Sequence, residues 1–212
     1  MKALDAPFAA SAGLEPAPAA LRIDLRQIAD WIAPASRVLD LGCGDGTLLA
    51  HLRAAKACRG YGVEIDDDHV AACVKAGINV IQSNLDAGLR MFADDMFDTV
   101  VLSQTLQAVH NVEGILREMA RVARQGVVSF PNFGHWRHAV SLLAGRMPVT
   151  KHIPYQWYDT PNIHLCTLKD FEILAAKVGL TIAGRAVFAD GRRVTVLPAL
   201  RSTLAVYRFR TG

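Results

Sequence analysis

Short continuous apolar runs alternate along this chain with stretches whose apolar residues recur every three or four positions. The runs at 37–41, 60–65, 78–81, 97–103 and 127–130 predict strands. After Thr99 the fourth run is apolar through Leu102, the pattern of a strand covered on both faces. Between the runs, 46–56 sets Leu48, Leu49 and Leu52 on one helical face, and 67–76 predicts a helix stopped by Gly77. The clearest amphipathic helix is 111–124. Val112, Ile115, Leu116, Met119 and Val122 take one side, and Glu113, Arg117, Glu118, Arg121 and Arg124 the other. A helix over 24–32 has Asp24 as its expected N-cap, Pro34 beyond its end, and Leu25, Ile28 and Ile32 facing inward.

Strand–helix–strand repetition with short connections predicts an α/β fold, a mostly parallel sheet with helices on both faces. The alternation breaks after Pro131. Residues 134–145 predict one more helix, and 146–166 are rich in Pro, His and aromatics without a period. A helix over 168–178, capped by Gly179, precedes strands at 181–188 and 202–209, read as a hairpin closing one sheet edge. The expected organisation is a flexible arm at 1–20 and a single domain over 21–212, with an aromatic and Pro-rich insertion at about 132–166.

Composition narrows the class. With 212 residues, 51% hydrophobic and 20% charged, one domain with a sizeable core is expected and global disorder is excluded. A net charge of +3 is too mild to imply nucleic acid or an anionic membrane. No apolar run approaches the roughly 20 residues that span a bilayer, and residues 1–20 lack the pattern of a signal peptide. Cys43, Cys58, Cys73 and Cys166 form no CxxC pair, so no zinc or disulfide framework is expected, and free thiols fit a cytoplasmic location.

The segment Val38-Leu39-Asp40-Leu41-Gly42-Cys43-Gly44-Asp45-Gly46 carries a predicted strand through a glycine-rich turn into a helix. The first strand–helix crevice of a doubly wound sheet is a ligand site. A carboxylate at Asp40 disfavours pyrophosphate by charge repulsion and suits an ammonium group. Glu64 ends the second strand, 18 residues after Gly46, where a carboxylate accepts hydrogen bonds from ribose hydroxyls. Loop and carboxylate together predict an adenosine-type ligand. A nicotinamide dinucleotide fits less well, because GxGxG lacks the GxGxxG offset.

DLGCGDG followed by YGVEID resembles the class I S-adenosylmethionine-dependent methyltransferases over about residues 22–210. The resemblance implies a Rossmann-like, seven-stranded, mostly parallel sheet with the last strand antiparallel. It places S-adenosylmethionine or S-adenosylhomocysteine at Asp40, Gly42, Cys43, Gly44 and Gly46, then Glu64 and Ile65, then Asn84 and Leu85 at the adenine, with Asp86 a weaker substitute. Ser103, Gln104 and Gln107 either line the same crevice or make ordinary loop hydrogen bonds.

Catalytic residues stay unassigned. The Asp/Asn-Pro-Pro-aromatic motif of amide and base methylases is replaced by LSQTLQ. His110 and His135 are either bases or structural, and no GxSxG is present. His135, His138, His152, His164 and Cys166 give no sign of converging, so no metal site is expected. The segments 129–137 and 154–162 are read as a substrate lid, a protein-binding surface or a packed subdomain core.

LSQTLQAV, SFPNFGHWR, GRMPVTK and YQWYDTPNIHLCT resemble the methionine-biosynthesis MetW family over most of the chain. That resemblance implies a partner or activating subunit of the homoserine O-acyltransferase MetX, which acylates the homoserine hydroxyl. A homodimer is a further expectation. The alternative is an active S-adenosylmethionine-dependent methyltransferase on a small molecule or protein. A nucleic-acid methyltransferase would draw on Arg185, Arg192, Arg193, Arg201, Arg208 and Arg210, which a solvated edge hairpin explains more simply.

Overall fold

The computed structural model of the protein describes residues 21–151 and 153–211, so the expected arm at 1–20 lies outside the described residues. The elements are α1 (Ile23–Trp31), β1 (Arg37–Leu41), α2 (Thr47–Lys56), β2 (Arg59–Glu64), α3 (Asp67–Lys75), β3 (Val80–Gln82), β4 (Thr99–Ser103) and α4 (Val112–Val122). They continue as β5 (Gln125–Pro131), α5 (Trp136–Leu143), α6 (Leu168–Lys177), β6 (Leu180–Ala189), β7 (Arg192–Arg193), α7 (Pro198–Arg201) and β8 (Leu204–Thr211).

The strands form one mixed sheet in the order β3-β2-β1-β4-β5-β8-β6-β7. The first five run parallel, and β8 lies antiparallel between β5 and β6. One expectation changes. The sheet has eight strands rather than seven, because Arg192–Arg193 pairs with the end of β6 as a two-residue edge strand. The terminal hairpin closes one side of the sheet as expected, with β8 interior between β5 and β6 and with β6 and β7 outermost.

Alternation along each strand splits the core into two layers. Leu39, Leu41, Val100, Leu102, Val128 and Phe130 pack with Ile115, Leu116 and Met119 of α4 and Phe171 of α6. Val38, Val101, Val127 and Val206 face the other way, against Ile28 of α1 and Leu48 and Leu52 of α2. The apolar runs are therefore continuous because both faces are covered. On the first face Phe130, Phe171 and Tyr207 form one aromatic cluster with ring centroids 4.7 to 5.9 Å apart.

Helix starts follow local chemistry at several places. Asp66, Asn111 and Thr167 each accept a hydrogen bond from a first-turn amide of α3, α4 and α6. Asp24 does not. The N-cap of α1 is Arg22, without a side-chain hydrogen bond, and Asp24 sits inside the first turn. Its carboxylate turns into the sheet because stronger partners wait there, as described below.

After β5 the chain leaves as α5 and an irregular stretch, then returns through a parallel bridge between Asn132 and Cys166. Asn132 is fully buried, and its amide donates to the carbonyls of Ala199 and Ser202, fastening this exit to α7.

Candidate functional site

The glycine loop stands at the carboxyl end of β1, between β2 and β4. Period-2 geometry sets Asp40 on the face of Val38, toward α1 and α2. It is 2% exposed, and its Oδ1 has no hydrogen-bond partner among the described residues. Burial pushes its carboxyl up to about 7, Glu64 adds to the rise, and Arg22 opposes it.

Gly42, Gly44 and Gly46 adopt φ of +68°, +56° and +79°, the left-handed region that L residues rarely enter. A Cβ at Gly42 would stand 2.5 Å from Thr105 Oγ1, whereas at Gly44 it would meet nothing within 4 Å. Gly42 thus lets two loops touch, and Gly44 leaves open space where a side chain would stand. The amides of Gly42 and Cys43 donate to the Val63 carbonyl at 2.8 and 3.1 Å, tying the turn to β2.

Glu64 completes that tie. Its carboxylate accepts from the amides of Gly44 and Ile65 at 2.8 Å and Asp66 at 3.1 Å. Three of its roughly four acceptor positions are therefore used by the backbone, and the residue lines a cavity described below.

Two cavities meet at Gly42. One, of about 450 Å³, is lined by Asp40, Gly42, Cys43, Gly44 and Ser103, together with Arg22 and Asp45. The other, of about 250 Å³, is lined by Gly42, Glu64, Ile65, Asn84 and Leu85, together with Thr105 and His110. Nine of the eleven expected contact residues therefore line one cavity or the other. Gly46 and Gln104 line neither. Gly46 is packed against Cys73 and Ile78 as the cap of α2. Gln104 turns its amide away to Asp24, at 2.8 Å.

Asn84 is exposed, and its carbonyl oxygen accepts from the Asp86 amide at 2.9 Å, closing a tight turn. The oxygen expected to meet an exocyclic amine is thus already engaged once. Asp86 is held by the His110 ring at 2.8 Å and by the amides of His110 and Asn111. Gln107 donates to the Gln104 carbonyl, and its own carbonyl receives the amides of Ile163 and His164, strapping the irregular segment onto the loop after β4.

Arg22, Asp24, Thr105 and Ser129 are the neighbours that sequence reasoning missed. Asp24 is fully buried beneath the first cavity. It accepts from Gln104 Nε2 at 2.8 Å, from Arg22 Nη2 and Ser103 Oγ at 3.2 Å, and from Ser129 Oγ at 3.3 Å. Only a polar residue beside the apolar face of α1 hinted at it.

The remaining candidates disperse. His135 lies away from the glycine loop, with its Nδ1 accepting from the Arg137 amide. Burial, then the neighbouring His138 and Arg137, lower its pKa below 6.5. Among the described residues no group of three or more His, Cys, Asp or Glu is placed to hold a metal; His152 lies outside the described residues. Arg185 pairs with Glu172, and Arg208 lies over Trp31, so the six arginines do not share one face. Trp157 and Tyr158 are about 70% exposed, which removes a packed core as the explanation for these two rings. No helix is long and apolar enough to cross a membrane among the described residues.

A family model described as methionine biosynthesis protein MetW matches residues 22–209. The chain belongs to the MetW family. It is 38% identical over 179 residues to the bifunctional methionine biosynthesis protein MetXA/MetW of Rhodopirellula baltica, covering 79% of this chain and 28% of that relative. This MetW chain thus spans little more than a quarter of that relative's length. It is also 36% identical over 95 residues to a demethylmenaquinone methyltransferase of Mycolicibacterium paratuberculosis, covering 45% of this chain and 40% of the relative. Solved structures similar in fold include an S-adenosylmethionine-dependent methyltransferase from Archaeoglobus fulgidus, with TM-score 0.67, 16% identity and coverage of 88% and 91% of the two chains. Another, from Mesorhizobium loti, has TM-score 0.66 and 20% identity over 88% and 95%. The MetW chain therefore carries the class I methyltransferase fold.

Proposed function

We propose that this MetW chain binds S-adenosylmethionine or S-adenosylhomocysteine across the two cavities at Gly42 and acts in the cytoplasm as an activating partner of a MetX-type homoserine O-acyltransferase. The partner half is carried by one observation: the Rhodopirellula baltica relative bears both names, MetXA and MetW, on a single polypeptide. The ligand half is supported by Asp40. A buried carboxylate with an unpartnered oxygen at a cavity wall is costly unless a donor arrives, and an ammonium group is such a donor. Arg22, on the same cavity, supplies a cation for the carboxylate of an amino-acid end. Gly44 leaves room beside them.

S-adenosylmethionine, when bound, supplies an activated methyl group, but the proposed role needs only its binding. A pathway product that prefers one state of a two-protein complex shifts the activity of the other protein by that preference. Exposed Leu143, Trp157 and Tyr158, in the stretch that follows β5, supply apolar surface of the type that interfaces bury.

The decisive experiment measures homoserine acylation by the cognate acyltransferase with and without this chain, and with S-adenosylmethionine or S-adenosylhomocysteine added. A rise in rate on adding the chain is expected. No rise, with both proteins folded, refutes the activating role. The stretch shared with demethylmenaquinone methyltransferases favours the second reading, a working methyltransferase. Transfer of labelled methyl from S-adenosylmethionine to a component of a metabolite extract is its readout.

A further inference from the structure

Away from the glycine loop, a further cavity of about 640 Å³ opens where α5, β7 and α7 approach the end of β6. It lies at the same end of the sheet as the glycine loop, since β5 ends and β8 begins there at the paired residues Pro131 and Leu204. It shares no lining residue with the two cavities at Gly42.

Its walls bring together Arg137 from α5, Arg192 and Arg193 from β7, and Arg201 from α7. The acidic residue among its lining is Asp190. Among the described residues none of these four arginines stands in an ion pair, whereas Arg22, Arg37, Arg117, Arg121 and Arg185 each do. Like charges gathered in a concave wall repel one another and focus a positive potential into the space between them. An anion in that space removes the repulsion. Guanidinium groups suit it, because their planar forks match phosphate and carboxylate oxygens two at a time.

Two further features give the cavity the character of a small-molecule site. Its volume lies within the roughly 300–1,000 Å³ range of such sites. Arg137 is held over the Trp136 ring at 5.5 Å, which restricts its orientation before any ligand arrives. His135, 8% exposed on the same wall, has Nδ1 occupied by the Arg137 amide and offers its other ring nitrogen.

We propose that this cavity binds a small molecule bearing at least two oxyanion charges, phosphate or carboxylate. The proposal stands independently of what the glycine loop binds.

Calorimetric titration of the full chain with sodium pyrophosphate and, separately, with citrate tests it, at constant ionic strength. The variants are Arg201→Ala and Arg137→Ala, with Arg210→Ala as a control outside the cavity. Saturable binding of either probe is expected, weakened roughly tenfold by each cavity substitution and unchanged by Arg210→Ala. Pyrophosphate alone would mark a phosphate ester as the ligand class, and citrate alone a polycarboxylate. No saturable binding of either probe overturns the proposal, as does an equal loss in Arg210→Ala, which would mean diffuse charge attraction. Arg137 and Arg201 are both exposed and lie on different elements, so should one variant fail to fold the other decides.

Discussion

Replacing Asp40 with Asn tests the electrostatics of the glycine loop directly. The carboxyl sits at about 7 in the folded chain against 3.8 in an unfolded one, with burial the main cause. Well below pH 3.8 both states are protonated and titration adds no penalty. Between about 4 and 7 the folded state holds a proton that the unfolded state has released, so stability falls as pH rises. Above about 7 the whole penalty is present, about 4 kcal/mol. Urea unfolding at pH 5 and pH 8 should therefore show the parent chain losing roughly 2–3 kcal/mol more than Asp40→Asn over that interval. The difference in slope is the readout, because an unpartnered Asn amide carries its own cost of about 1–3 kcal/mol at every pH. Equal slopes would refute the reasoning and mean that water or a local rearrangement keeps Asp40 ionised cheaply. A ligand with an ammonium group prefers the ionised carboxylate, so its affinity in the parent chain should rise as pH increases through about 7. Asp40→Asn should lose that dependence together with most of the binding, measured by calorimetry.

Gly42→Ala should destabilise the chain by about 2–3 kcal/mol, from positive φ and from collision with Thr105. Adding Thr105→Ala should recover the steric part but not the backbone part, read by thermal unfolding of the double-mutant cycle. Asp24→Ala should cost roughly 3 kcal/mol by stripping Gln104, Ser103 and Ser129 of their shared acceptor; a loss under about 1 kcal/mol would show that the cluster re-pairs within itself. Glu64→Gln should loosen the loop, since the Gln amide cannot accept from both Gly44 and Ile65, and urea unfolding should show a loss of about 1–2 kcal/mol.

Much of the fold was legible because its signals are local. The helices over α4 and α6 read from apolar spacing, and β1, β4 and β5 from runs apolar on both faces. The glycine positions read equally well, since positive φ and close approach are demands on a single residue. Asp24 shows where local reading stops. Its identity and place before an apolar face satisfy the rule for an N-cap, yet its partners come from residues 79 to 105 positions away. Hydrogen bonds brought in by β4 and β5 outweigh the one bond a cap supplies. Asn84 carries a local demand as well: its carbonyl oxygen closes a tight turn with the Asp86 amide while the residue lines the cavity.

The alternation of apolar and polar positions by itself determined the layers and the strand–helix order, and the glycine motif determined the place of the loop after β1, because each depends on neighbours within a few residues. The interior position of β8, the two-residue strand β7 and the convergence of Arg137, Arg192, Arg193 and Arg201 were decided only in three dimensions. No periodicity marks them. They exist because β8 enters between β5 and β6 and so draws α5, β7 and α7 around one edge of the sheet.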